Sequence, residues 1–329
     1  MTLVLVLLAV LALPVFVAFL FTLWTARKVE AVLPPQGRFV DVPGARLHVQ
    51  EFDGGDPNLP PLLLLHGLAG QLAHYTYGVT DRLAGRYRMV AVDRAGSGFS
   101  TRAPGTAADL DTQAAMLAAL IEQLRLERPL VVGHSLGGAL ALALALRHPD
   151  RVGGLALVAP LTHMQEHVPP VFEGLTILSP TWRNLVAWTL AIPASIKNSR
   201  VALDQVFGPE AVPADFATRG GGLLGLRPSA FLAASDDLRA LPDCLPAQET
   251  RYGELQLPVS ILYGKDDRIL DWRAHGQALA DKVRGARLEL VEGGHMLPIT
   301  NPDATAAFID AAAAQATLSA SAAVNAARS

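Results

Sequence analysis

The sequence predicts an α/β fold: a mostly parallel β-sheet with helices on both faces, a helical cap inserted into it, and a transmembrane helix ahead of it. Three observations lead there. Short apolar runs of the kind that fill buried parallel strands alternate with stretches of helical spacing. Between residues 161 and 256 that alternation stops, and prolines, tryptophans and the run Gly220-Gly221-Gly222 take over. Residues 3–24 are mostly apolar on every face and 2–26 carry no charge, a stretch longer than the roughly 20 residues a helix needs to cross a bilayer.

The amino-terminal stretch comes first. Pro14 would kink a soluble helix but is tolerated in a membrane span, and Trp24 followed by Arg27 and Lys28 reads as an interfacial anchor. A cleaved signal peptide would need a basic start, a shorter apolar core and a small-x-small cleavage site. None of the three is present here. A buried amphipathic helix would show a polar face, and this stretch has none. The expectation is a single-pass anchor in the cell membrane, with residues 1–35 forming the anchor and a short juxtamembrane linker at Ala31 to Pro35. Positive charge at Arg27, Lys28 and Arg38 follows the span, which by the positive-inside rule favours a cytoplasmic domain.

The first part of the core is read over 36–160. Residues 38–42 and 46–52 flank Pro43-Gly44 and alternate as a two-stranded hairpin would. The runs 61–65 and 88–92 read as buried strands ending in His66-Gly67 and Asp93, and 107–126 has helical spacing. Pro129-Leu130-Val131-Val132 is a further strand, and it runs directly into Gly133-His134-Ser135-Leu136-Gly137. A serine held on a sharp strand-to-helix turn needs very small residues two positions either side, because strand and helix approach closely there. Gly133 and Gly137 fill both places, and the Leu- and Ala-rich stretch 136–147 follows as a buried helix.

A strand at 152–158 precedes the insertion, 161–256, which reads as a mainly helical cap. Its large apolar residues Phe172, Trp182, Trp188, Phe207 and Phe231 are expected, as a group, to line an acyl tunnel over the serine. The core resumes over 257–314 with strands at 259–263 and 287–291 separated by a helical stretch at 271–283. A helix start at Asn301-Pro302 leads into an Ala-rich tail over 315–329, expected to fray.

Composition narrows the function. The chain has 329 residues, 51% hydrophobic and 17% charged, enough for one large core with an insertion. A net charge of -3 without a Lys/Arg block argues against nucleic acid as a partner. The single cysteine, Cys244, has no partner for a disulfide or a zinc site. No H-E-x-x-H, P-loop or strand-led G-x-G-x-x-G occurs, so neither a metal nor an organic cofactor is expected. A homodimer is left open.

A serine hydroxyl needs a base, and the base needs an acid to orient it. Gly293-Gly294-His295 follows the strand at 287–291, which puts His295 on a loop leaving the sheet. The rival histidines lie elsewhere: His48 in the outer hairpin, His163 and His167 in the cap, His275 in a helix, positions where a solvated role is commoner. Gly264-Lys265-Asp266-Asp267 follows the strand at 259–263, and only one of the adjacent carboxylates can aim at the imidazole. Chain order is then Ser, Asp, His. For the oxyanion, Leu136 N–H directly after the serine supplies one donor and Leu68 N–H after His66-Gly67 the other. His66 and Asp93 are read as loop organisers.

In His66-Gly67, Asp93 to Ser100, Gly133 to Gly138, Gly264 to Asp267 and Gly294-His295, the chain resembles the α/β-hydrolase-fold serine hydrolases over about 36–314. The family spacing G-x-x-D implies Asp267 rather than Asp266 as the acid. The anchor and cap further resemble membrane-anchored monoacylglycerol lipases and bacterial inner-membrane phospholipases A, a likeness that would place the domain in the periplasm, against the charge rule. The resemblance implies a Ser135, Asp267, His295 triad hydrolysing membrane lipid or other acyl esters through an acyl-enzyme, with the bilayer as partner of the amino-terminal helix. A carbon-carbon bond hydrolase of ring-cleavage products would use the same triad, and a non-catalytic ligand-binding member of the fold is the remaining alternative. Dehalogenases and epoxide hydrolases need an aspartate where Ser135 stands.

Overall fold

A computed structural model describes residues 2–328 of the chain; the side chains of 3–11, 320 and 322–328, and with them part of the expected span and tail, lie outside the described residues. Among these residues nine strands form one sheet: β1 Arg38–Val42, β2 Ala45–Phe52, β3 Leu62–Leu65, β4 Met89–Val92, β5 Thr101–Arg102, β6 Leu130–His134, β7 Gly154–Val158, β8 Val259–Gly264 and β9 Arg287–Val291. Their spatial order is β1-β2-β4-β3-β6-β7-β8-β9, with β5 on the side of β2. The hairpin β1-β2 and its pairing with β4 are antiparallel, and every pairing from β4 through β9 is parallel. The two-residue β5 is too short to leave a periodic signal in the sequence.

The parallel strands are buried on both faces, which is why they read as unbroken apolar runs. Successive side chains alternate across the sheet. Leu63 and Leu65 of β3 join Leu117 and Leu140, from helices Leu110–Gln123 and Leu136–Arg147, on one face. Leu62 and Leu64 join Tyr75, Val79 and Ile309, from helices Ala73–Thr76, Val79–Leu83 and Pro302–Arg328, on the other. Only β9, at the edge, exposes Arg287 and Glu289, charges that discourage pairing with a further strand.

Between β7 and β8 there is no strand. Helices Pro180–Thr189, Ala191–Phe207 and Pro228–Glu249 lie there, the first begun by Ser179, whose hydroxyl accepts from Trp182 N, and by Pro180 in the first turn. This cap meets the amino-terminal helix, Thr2–Val32. Thr22, Thr25 and Val29 are buried, the Phe19 ring lies 5.9 Å from Trp188, and Glu30 pairs with Arg227 at 3.4 Å. Phe16, Leu20 and Trp24 stay uncovered, as they would not in the core helix of a soluble protein. Ala12–Val32 is long and apolar enough to cross a membrane.

Two boundaries differ from expectation. Ala31 and Val32 continue the first helix rather than opening a linker, because no breaker occurs before Leu33-Pro34. The region from 315 is not a break either: helix Pro302–Arg328 runs through it, and Ala316 packs against the sheet. Alanine is the best helix former, and small side chains let this helix lie close to β7.

Candidate active site

Ser135 joins β6 to helix Leu136–Arg147 at φ 55°, ψ -121°, a conformation that costs a non-glycine residue on the order of 1–3 kcal/mol. Packing imposes it. A Cβ added to Gly133 would lie 2.5 Å from Gly137 O, one on Gly137 would run into Leu65 O, and one on Gly67 would sit 2.8 Å from Ser135 Cβ. Glycine at these three positions lets strand, helix and the loop after β3 converge on the serine.

His295 leaves the loop after β9, and its Nδ1 donates to Asp267 Oδ2 at 2.7 Å. Asp267 Oδ1 accepts from Ile269 N at 2.8 Å and Leu270 N at 3.0 Å. Asp266 is exposed, its backbone N–H bound to Gly293 O at 3.0 Å. Of the two adjacent carboxylates, Asp267 therefore meets the imidazole. With Nδ1 committed, Nε2 is the ring nitrogen left to exchange a proton. The structure records no hydrogen bond from Ser135 Oγ to His295; such bonds commonly tighten only around substrate. The His295 ring lies 4.9 Å from that of His134, whose Nε2 donates to His295 O at 2.9 Å, which ties the loop to the serine turn.

Ser135, Leu68 and Leu136 line one apolar cleft of about 100 Å³. Leu136 N–H belongs to the first turn of its helix, where no preceding carbonyl is available. Leu68 sits in a turn closed by Gly70 N to Gly67 O at 3.3 Å. The cap contributes Phe172, Leu238, Leu241 and Leu245 to the walls, and His167 is the one titratable cap residue among them. The five large cap residues expected to line the cleft mostly do not. Phe172 does, but Phe207 meets Phe216 edge-to-face at 4.8 Å in a separate cluster, Trp188 meets Phe19, Trp182 is exposed, and Phe231 is half-buried outside the lining. Leucines of helix Pro228–Glu249 take the place of the aromatics.

His66 and Asp93 organise loops. His66 Nε2 accepts from Arg94 N at 3.0 Å and its Nδ1 donates to Gly67 O at 2.8 Å. Asp93 accepts from Leu72 N, Phe99 N and His48 Nδ1 at 2.7, 2.8 and 2.7 Å. His48 and His275 are thus buried rather than solvated. Sequence reading also missed Glu210, whose two carboxylate oxygens both accept from Gly294 N at 3.1 Å, and Gln71, which donates to Gly220 O at 2.7 Å. Both link the cap to the site loops, across separations that leave no local signal.

Burial, above all, lowers His74 and His275 to about 4 and holds His66 and His134 well below their ordinary value. The unfolded chain takes up these protons near pH 6.5 while the folded chain does not. Stability is therefore complete above about 6.5 and declines as pH falls toward 4, by up to about 1.4 kcal/mol per pH unit for each such histidine. Thermal midpoints measured from pH 7.5 to 4.5 should drop accordingly; a flat profile would contradict burial of these rings.

Residues 60–202 match the family model described as alpha/beta hydrolase fold. The chain is 30% identical over 238 residues to a 2-hydroxy-6-oxononadienedioate/2-hydroxy-6-oxononatrienedioate hydrolase of Burkholderia vietnamiensis, covering 69% of this chain and 77% of that one. Among solved structures it is similar to an alpha/beta hydrolase fold protein from Burkholderia ambifaria (TM-score 0.69, 24% identity, 83% of this chain and 96% of that one). It is also similar to a membrane phospholipase A described as a bacterial virulence factor (TM-score 0.67, 25% identity, 94% of this chain and 98% of that one).

Proposed function

The chain belongs to the α/β-hydrolase-fold hydrolases, and on that premise we propose that it is a membrane-anchored serine ester hydrolase acting on lipid-derived or medium-chain acyl esters. Ser135 Oγ attacks the ester carbonyl while His295 Nε2 takes its proton, and Asp267 holds the imidazole and stabilises its charged form. Leu68 and Leu136 N–H receive the oxyanion. The protonated His295 then gives its proton to the leaving alkoxide, and water repeats the sequence on the acyl-enzyme.

The observation that carries the acyl reading is the cleft. No Arg or Lys is among the described residues that line it beside Ser135. An acyl chain needs only apolar walls, whereas a dioate would bring a charge that an apolar wall leaves unpaired. The likeness to a membrane phospholipase A points the same way. The carbon-carbon hydrolase reading is favoured by the Burkholderia vietnamiensis relative, so both substrates belong in the test.

With p-nitrophenyl esters from acetyl to decanoyl, kcat/KM should rise about fourfold per CH₂ at most, from ~0.8 kcal/mol per buried methylene, until the cleft is full. Equal rates on acetyl and octanoyl esters, with no monoacylglycerol or phospholipid cleaved, would leave a general esterase. Preferential cleavage of a ring-opened dienedioate would replace the ester reading with the carbon-carbon one.

The uncovered amino-terminal helix supports the anchor. Deleting residues 1–26 should move the protein from carbonate-washed membranes to the supernatant while short soluble esters are still hydrolysed, since the sheet and Ser135 lie downstream. A truncated protein that stays with the membranes would shift the anchor to the exposed cap face around Trp182 and Leu190.

A further inference from the structure

Arg94 is the largest fully buried side chain among the described residues, and the chemistry above does not use it. It follows β4 and reaches beneath the loop after β3. Nε donates to His66 O at 3.0 Å, Nη2 to Gly67 O at 3.1 Å, and Nη1 to Asp237 Oδ2 at 2.9 Å and Gln113 Oε1 at 3.3 Å. Asp237 belongs to the cap helix Pro228–Glu249 and is itself buried, its Oδ1 accepting from Gln113 Nε2 at 3.2 Å and Arg102 Nη1 at 3.4 Å. Gly67 O also accepts from His66 Nδ1 at 2.8 Å and from Gly70 N at 3.3 Å. His66 Nδ1 carries the proton, because Nε2 of the same ring accepts from Arg94 N.

Gly67 C=O and Leu68 N–H are the two ends of one planar peptide unit. Holding the carbonyl therefore aims the N–H, and donors on the carbonyl polarise the amide so that its N–H becomes a stronger donor. We propose that the Arg94–Asp237 pair is a positioning device for the oxyanion site: the cap carboxylate holds the guanidinium, and the guanidinium holds the 67–68 peptide with Leu68 N–H facing the cleft at Ser135. Arg94 and Asp237 are positioning residues, since neither lines the cleft. The proposal rests on the ester-hydrolase reading, in which Leu68 N–H receives the oxyanion. It makes the cap part of the catalytic framework as well as the wall of the acyl site.

A buried ion pair retained for stability alone can be exchanged for apolar side chains of similar volume at little or no cost, and this separates the two roles. Arg94→Met/Asp237→Leu leaves neither charge of the pair behind, and Arg102, the other guanidinium on Asp237, keeps Asp236 as its partner at 3.7 Å. Its thermal midpoint is expected within a few degrees of wild type, with kcat on p-nitrophenyl butyrate reduced roughly 30-fold or more and KM changed less than threefold, approaching the ~100-fold cost of losing one oxyanion donor. Affinity for an alkyl trifluoromethyl ketone, whose adduct with Ser135 carries an oxyanion, should fall by the same factor. Arg94→Lys keeps the charge but offers a single nitrogen in place of the fork, and it keeps the test decisive should the double variant not fold; a smaller loss in kcat and in ketone affinity together is expected. Wild-type kcat in either folded variant, a rise in KM alone, or unchanged ketone affinity overturns the proposal. Loss of the ester-hydrolase reading has a different signature, seen in the wild-type chain before any variant is made: preferential cleavage of a ring-opened dienedioate over p-nitrophenyl butyrate.

Discussion

Ser135→Ala is expected to reduce ester hydrolysis by about 10⁴-fold or more and to abolish labelling by a fluorophosphonate probe, while the thermal midpoint stays close to that of the parent. The two readouts separate because of where the hydroxyl sits. Ser135 is held by its backbone, at φ 55° between Gly133 and Gly137, and alanine meets the same packing with one atom fewer. Ser135 lines the cleft rather than the hydrophobic core. Undiminished labelling of the variant would move the nucleophile elsewhere and overturn the function proposed above.

Asp267→Asn should be nearly as damaging, lowering kcat on the order of 10⁴-fold, whereas Asp266→Asn should stay within a factor of about three. The hydrogen bonds of Asp267 give the reason. Ile269 and Leu270 N–H both point at Oδ1, so an asparagine placed there turns its carbonyl oxygen toward them and presents its NH₂ to His295. That group donates where an acceptor is required. The imidazole then keeps its proton on Nε2, facing the serine it should deprotonate. Asp266 is exposed and does not contact the ring. If the two variants ranked in the opposite order, the acid would be Asp266.

Both predictions concern residues whose positions could be read from the chain alone. β3, β4, β6, β7 and β8 lie within two residues of the apolar runs that announced them, because a strand covered on both faces must be apolar throughout, and the edge strand β9 falls on 287–291 as read. Each of Leu68, Ser135, Asp267 and His295 follows the carboxyl end of such a strand, so finding the strands locates the loops. The errors fall where contacts join distant segments. Four of the five large cap residues expected over the serine are spent elsewhere, because a helical cap has a core and an outer face of its own. His48 and His275 were misjudged for the same reason, their burial being set by elements far along the chain.

Local pattern along the chain was enough for the α/β alternation, the strand-to-helix turn at Ser135, the order of the site loops, the preference for Asp267 and the apolar amino-terminal helix, since each depends on residues a few positions apart: periodicity, glycine at a close approach, a fixed spacing, an uncharged run. Only the packed molecule decided that leucines of helix Pro228–Glu249 wall the cleft, that Glu210 of the cap reaches Gly294, and that Arg94 and Asp237, 143 residues apart, pair beneath the Gly67-Leu68 peptide. A side chain's direction and its partner depend on how whole elements pack, and no local pattern carries that information.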